Sequence, residues 1–279
     1  MKSVSKLLVA TDLDATLLDH QTYDFSPAIP VIEQLKSLKC PIIFNSSKTQ
    51  SEQQSLRNNL NICDPFIIEN GSAVVIPPGQ LDQPAAASTG YTHVFGLAYT
   101  ALIASLHRLR EQHGYKFRGF ADLTAAALAE ITGLSLAGAA AAKDRQGSEP
   151  LLWEDSEADY NSFVAALTAQ GLATTQGGRF RHVMGKTNKG KALTWLVDRY
   201  RTAFPQTHWT IVALGDSPND VPMLQAADIG VLIPNPHRNP FEIPGVPHLI
   251  RAERPGPIGW AETVSSLLNT TQYDPIRPR

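Results

Sequence analysis

Cysteine is scarce in this chain. Two occur in 279 residues, Cys40 and Cys63, outside any Cys-x-x-Cys pair, so reduced, buried thiols are expected rather than a disulfide. Excess charge of either sign is missing too. The 24 Lys and Arg stand against 26 Asp and Glu, a net charge of −2, and no overall basic field draws the chain to nucleic acid or to a membrane. Long apolar runs are also absent: none reaches the roughly 18 residues that span a bilayer. The apolar stretch after Met1-Lys2-Ser3-Val4-Ser5-Lys6 is too short for a signal peptide. A cytoplasmic protein is expected, a monomer or homodimer, with no nucleic-acid or membrane partner. What is present is ordinary core material. Hydrophobic residues make up 43%, which at this length builds one large α/β domain or two modest ones.

Leu7 to Ala10 is a short continuous apolar run, the pattern of a strand buried on both faces. Residues 27–38 carry Ile29, Ile32, Leu35 and Leu38 at helical spacing, opened by Pro27. Strands are predicted at 41–45 and 66–68, with a polar helix over 51–60 between them and the turn Glu69-Asn70-Gly71 behind. This alternation predicts a parallel, doubly wound sheet. The rhythm breaks at Pro77-Pro78-Gly79, and the stretch to Gly90 reads as a linker. Residues 91–176 then mix helices (98–113, 123–131, 136–143 and 157–170) with strands near 115–120 and 150–153. A further strand enters 177–180. From Asn188 the first rhythm returns: an amphipathic helix at 191–204, a strand at 210–214, a helix at 218–227, a strand at 229–233 and a final helix within 260–268. The expected fold class is therefore α/β, a doubly wound parallel core (1–83 and 181–279) interrupted by a smaller α+β unit (84–180).

Four polar clusters border core elements. Asp12 and Asp14 close the first strand, where residues i and i+2 point to one side. The turn through Ala15 and Thr16 keeps both acids at the strand's carboxyl end, the edge where open α/β sheets bind ligands. Two carboxylates this close repel unless a cation or a shared proton intervenes, so the pair asks for Mg²⁺. Ser46-Ser47-Lys48 and Gly215-Asp216-Ser217-Pro218-Asn219-Asp220 follow other strands, and Lys189 opens a helix. All strand carboxyl ends of a parallel sheet face one way, so these groups converge on a site for Mg²⁺ and a phosphate. Each has a plainer reading. Asp12-x-Asp14 can be an acidic turn, and Ser46, Ser47 or Asp216 can cap a helix. Asp220 can orient Asn219 or Lys189. Lys189, between Lys186 and Lys191, can be a solvated helix-start lysine.

In this order the motifs resemble the haloacid dehalogenase (HAD) superfamily of phosphatases. The insertion between the second and third motifs resembles members with a type-2 α+β (C2B) cap on a Rossmannoid core. More narrowly, the chain is similar to the mannosyl-3-phosphoglycerate phosphatase family. The matching pieces are residues 12–19, Asn45-Ser46-Ser47-Lys48-Thr49, Glu69-Asn70-Gly71, and Gly119-Phe120-Ala121-Asp122 with 131–135. Others are 142–145 with Ser148-Glu149-Pro150, Gly178-Arg179-Phe180-Arg181-His182, and 215–220. The resemblance implies Asp12 as nucleophile, Asp14 as acid and base, Ser46 and Lys189 on the phosphoryl oxygens, and Mg²⁺ on Asp12, Asp14, Asp216, Asn219 and Asp220. It also implies a phosphorylated sugar–glycerate substrate met by Ser47, Lys48, Arg145, Ser148, Glu149, Gly178, Arg179 and His182. His182 reads equally as a packed strand histidine; His20 and Tyr23 border the cap.

One departure stands out: the superfamily usually has Gly where this chain has Ala15. The methyl group restricts a backbone that can visit φ > 0, and altered loop geometry or rate is expected. A sucrose-phosphate or general sugar-phosphate phosphatase, or a sugar-phosphate-binding protein without turnover, would share the core motifs.

Overall fold

Alternation along β1 (Val4–Thr11) explains why the molecule is layered. Leu7 and Val9 enter one apolar layer, Leu8 and Ala10 the other, as the two-residue repeat of a strand requires. The computed structural model describes residues 4–81, 90–177 and 180–273. After β1 come α1 (Ile29–Ser37), β2 (Ile42–Phe44), α2 (Gln50–Asn59), β3 (Phe66–Ile68), β4 (Ala73–Ile76) and β5 (Tyr91–Val94). A middle part holds α3 (Tyr99–His113), β6 (Phe117–Gly119), α4 (Ala125–Thr132), α5 (Leu136–Lys143), β7 (Ser148–Trp153), α6 (Glu157–Ala169), β8 (Leu172–Gly177) and β9 (Phe180–Gly185). The chain returns through α7 (Lys189–Ala203), β10 (Thr207–Gly215), α8 (Val221–Gln225), β11 (Ile229–Leu232), β12 (Leu249–Arg251) and α9 (Gly256–Tyr273).

Among the described residues, five strands form a parallel sheet in the order β12-β11-β10-β1-β2. On one face Ile32 and Leu35 of α1 and Trp260 of α9 pack against Leu7 and Val9. On the other, Leu193 and Leu196 of α7 cover Leu8 and Ala10. Burying a leucine fully in such a layer contributes roughly 1.5–3 kcal/mol. The fold is the expected α/β class, and the order β10-β1 puts sequence-distant strands side by side. The middle part has its own antiparallel sheet, β6-β7-β9-β8. Its apolar cluster includes Leu106, Phe117, Phe163 and Val183.

Several local expectations need correction. β3 is not a strand of the parallel ladder: it pairs antiparallel with β4, in the order β3-β4-β5, and meets the parallel sheet through a bridge between Asn45 and Ile67. β4, β5 and β12 lie beside turn-rich stretches, and runs of three or four residues carry too little periodicity to be seen. Neither Ser46 nor Ser47 caps α2. Thr49 does, accepting from the Glu52 N–H at 3.1 Å while Glu52 accepts from the Thr49 N–H at 2.8 Å, a capping box. Both cysteines are free, but Cys63 is exposed on the turn after α2, and Cys40 is buried. No single helix among the described residues is long and apolar enough to cross a membrane.

Candidate active site

Parallel pairing brings the carboxyl ends of β1, β2, β10 and β11 to one edge, and the polar motifs follow these ends. The Asp12 N–H continues the ladder onto Leu214 O at 2.9 Å. Behind it, Trp260 Nε1 donates to Thr11 Oγ1 at 3.0 Å, and that hydroxyl donates to Asp12 O at 2.7 Å. The nucleophile candidate therefore stands on a strand end tied to α9. Lys189, buried at the start of α7, donates from Nζ to Asp12 Oδ1 at 2.7 Å and to Asp220 Oδ1 at 2.6 Å. It is not a solvated lysine.

Asp220 folds back under its own loop. Its Oδ2 accepts from the N–H groups of Asp216 and Ser217, both at 3.0 Å, and from Ser217 Oγ at 2.9 Å. Gly215 permits this, because a Cβ there would sit 2.4 Å from Asp220 Cβ. Asp216 is not a helix cap either. Its Oδ1 accepts from Thr16 Oγ1 at 3.2 Å and its Oδ2 from Asn235 Nδ2 at 2.6 Å. Asn219 reaches across to β3's turn, donating from Nδ2 to Asn70 Oδ1 at 3.0 Å. Ser46 is fully buried; its Oγ accepts from the Lys48 N–H at 3.3 Å, which leaves the hydroxyl proton to donate.

Asp14 pairs through Oδ2 with Lys48 Nζ at 3.1 Å, while its buried Oδ1 has no partner within the protein. Ala15, next to it, has φ +58°, the left-handed backbone expected of a position that favours glycine. Asp12, Asp14, Ser47, Asp216, Asn219 and, from β8, Gln176 line a cleft of about 500 Å³. A wider groove of about 820 Å³ runs along α7 past Trp195 and contains none of these acids.

Carboxylate oxygens of Asp12, Asp216 and Asp220 lie within 4.8 Å of one another, with one ammonium among them. Burial, then the neighbouring Asp220 charge, pushes the Asp12 carboxyl up to about 8, against the pull of Lys189. Burial and Asp220 also raise Asp216. Burial opposes the charge on Lys189, but Asp12 and Asp220 outweigh it and hold the ammonium above its ordinary range. Oxygen donors with negative charge in excess suit a hard divalent cation, which would restore Asp12 to its ionised form.

The middle-part candidates are placed differently. Arg145 is buried and donates to Ala142 O, Ser148 O and Ser148 Oγ at 3.1, 2.9 and 2.8 Å. Glu149 accepts from Tyr99 OH at 2.9 Å and the Ala121 N–H at 2.7 Å, and burial pushes it up to about 7. Burial, then Arg145, lowers His182 to about 3, and its Nδ1 has no partner within the protein. These groups form no part of the cleft's lining. Gly178 and Arg179 lie outside the described residues. His20 does line the cleft and lies tilted against His237, with ring centroids 4.7 Å apart; Tyr23 lies 5.7 Å below Lys48 Nζ.

Sequence reasoning missed Thr16, Asn235 and Gln176. Asn235 could have been found, since it follows β11 at the same sheet edge; Gln176 depends on how the two parts meet.

A family model described as haloacid dehalogenase-like hydrolase matches residues 9–84 and 144–242. The chain belongs to the haloacid dehalogenase-like hydrolases. It is 37% identical over 267 residues to the glucosyl-3-phosphoglycerate/mannosyl-3-phosphoglycerate phosphatase of Methanococcoides burtonii, covering 94% of this chain and 97% of that protein. The phosphatase of the same name from Persephonella marina is 35% identical over 271 residues, with the same coverage of each. Among solved structures, a HAD-superfamily phosphatase from Bacteroides thetaiotaomicron shares the fold at TM-score 0.64 and 18% identity, covering 95% of both chains. The HAD-like hydrolase fold accounts for the parallel core and the separate antiparallel sheet.

Proposed function

We propose that this chain is a magnesium-dependent phosphatase that releases phosphate from a mannosyl- or glucosyl-3-phosphoglycerate, leaving the glycosylglycerate. One observation carries the reading: the Asp12 carboxylate, in the cleft, lies 2.7 Å from the Lys189 ammonium with Asp216 alongside. The names of the two relatives support the substrate.

Asp12 attacks phosphorus; as its oxygen–phosphorus bond forms, the bond to the glycerate oxygen breaks. Asp14, whose Oδ1 is free of protein partners, gives the departing alkoxide its proton. It then takes one from the water that cleaves the aspartyl-phosphate. Lys189 and the Ser46 hydroxyl hold phosphoryl oxygens. Asp12, the Asp14 carbonyl and Asp216 would hold Mg²⁺, with Asn219 and Asp220 completing or supporting the site. When bound, the ion neutralises charge between a carboxylate nucleophile and an anionic substrate. Ser47 and Lys48 contact the organic part. The middle part, from α3 to β9, acts as a cap that excludes water from the first step, while β5 stays with β4 in the core, and Arg145, Ser148, Glu149 and His182 shape the cap.

A phosphate-release screen tests this on glycosyl-3-phosphoglycerates, sucrose 6-phosphate and hexose phosphates, with and without Mg²⁺. Preference for a glycosyl-3-phosphoglycerate is expected. Asp12→Asn should lose about 10⁴-fold or more in kcat, as removal of a nucleophile does. Best turnover on sucrose 6-phosphate overturns the substrate; parental turnover by the variant overturns the mechanism.

A further inference from the structure

The turn after β3 holds three successive residues in the left-handed region: Glu69 at φ +53°, Asn70 at +58° and Gly71 at +90°. Side chains persist there only where the surroundings over-determine the backbone. Here the surroundings belong to both parts of the molecule. Glu69 is fully buried, and its Oε1 accepts from the Gln146 N–H at 2.7 Å. Its Oε2 accepts from the Gly147 and Ser148 N–H groups at 3.2 and 2.9 Å and from Ser148 Oγ at 2.8 Å. Three consecutive N–H groups form an anion-binding concavity, with Arg145 Nε 3.6 Å from the carboxylate. That concavity belongs to the middle part and the carboxylate to the core. The contact is tight: a Cβ on Gly147 would lie 2.9 Å from Val94 Cγ1.

The same turn reaches the cleft. Asn70 donates its N–H to Ser46 O at 2.9 Å and accepts at Oδ1 from Asn219, and the Glu69 N–H donates to Lys48 O at 3.0 Å. Gly71 O accepts from Thr187 Oγ1 at 3.0 Å, and a Cβ on Gly71 would lie 2.3 Å from Asn188 O, directly ahead of Lys189.

We propose that Glu69 is a positioning residue. Its carboxylate docks the middle part onto the core over the cleft, and the turn it anchors ties that docking to Ser46, Asn219 and the start of α7. The kinetic part of this inference rests on the phosphatase reading above. A carboxylate is required because four donors aim at its two oxygens and none is left for a donor in return; an amide nitrogen would meet a donor head-on.

The test compares the full chain with Glu69→Gln and, from the opposite side, Ser148→Ala. Amide hydrogen exchange at 146–148 should quicken about tenfold or more in Glu69→Gln, the signature of local opening. Its kcat on the glycosyl-3-phosphoglycerate should fall about 10- to 100-fold, the cost of a substrate that the undocked cap no longer holds in place. Turnover of p-nitrophenyl phosphate, too small to need the cap, should fall much less. Ser148→Ala should move both readouts in the same direction, and the double variant should lose less than the two single losses combined. Unchanged exchange at 146–148, or equal losses on both substrates, overturns the proposal. Should the parent release phosphate from p-nitrophenyl phosphate but from no glycosyl-3-phosphoglycerate, the substrate reading fails and exchange alone decides the docking.

Discussion

Two polar clusters of similar composition behave differently. In the core, Asp12, Lys189, Asp220 and Asp216 are buried yet lean on one another at the edge of a cleft, and their charges do not balance. In the middle part, Arg145, Ser148 and Glu149 spend their hydrogen bonds on backbone groups, on each other and on the side chains of Tyr99 and Glu69. Buried charge left partly uncompensated marks a place meant to receive something. Buried charge fully enclosed by donors and acceptors marks a place that holds shape.

The difference can be broken by substitution. Lys189→Met should cost about 10²–10³-fold in kcat by removing a preorganised cation. Without metal it should also destabilise by about 3–5 kcal/mol, since Asp12 and Asp220 are then left buried without a counter-charge. Arg145→Met should act in the opposite proportion: stability drops by about 3 kcal/mol as Glu69 loses its buried cation, and turnover per folded molecule is affected less. If a folded Arg145→Met protein loses turnover as Lys189→Met does, the two clusters are not different in kind. Phosphate release alongside thermal unfolding separates the cases.

Two smaller effects sharpen the contrast. Glu149 has a folded-state value raised from 4.5 to about 7 by burial. Its contribution to stability is therefore full below about pH 4.5 and lost as pH rises through about 7. Glu149→Gln should remove that slope, with a gain of about 3 kcal/mol at pH 8 relative to pH 4.5, from the roughly 1.4 kcal/mol that each unit represents. Unfolding melts at the two pH values measure it; a flat difference shows the carboxyl is not titrating there. Ala15→Gly should be smallest. It relieves a left-handed alanine, at about 1–2 kcal/mol, and returns about 0.4–1 kcal/mol in unfolded-chain entropy, a net gain of about 0.5–1 kcal/mol. Turnover should stay equal or rise.

The core motifs were readable because each acid follows a strand of one parallel sheet, and parallel strands deliver their carboxyl ends to one edge whatever the loops between them do. Asp12, Asp216 and Lys189 meet for that reason. The middle-part motif 145–149 carries residue types just as suited to substrate binding, but nothing in its spacing says whether a guanidinium faces a ligand or its own backbone. Glu69 illustrates the converse. As part of Glu69-Asn70-Gly71 it read as a turn, and its partners at 146–148 lie 77 or more residues away.

From the sequence alone came the α/β class and the strand-end placement of the acids, since both depend on period and order, while the resemblance pointed to the unusual backbone at Ala15. Tertiary structure alone decided that β3 leaves the parallel ladder, that Asp220 braces its loop and Lys189, and that Arg145 turns inward to Ser148. Each of those outcomes depends on which distant group supplies the last hydrogen bond, and no local pattern encodes that.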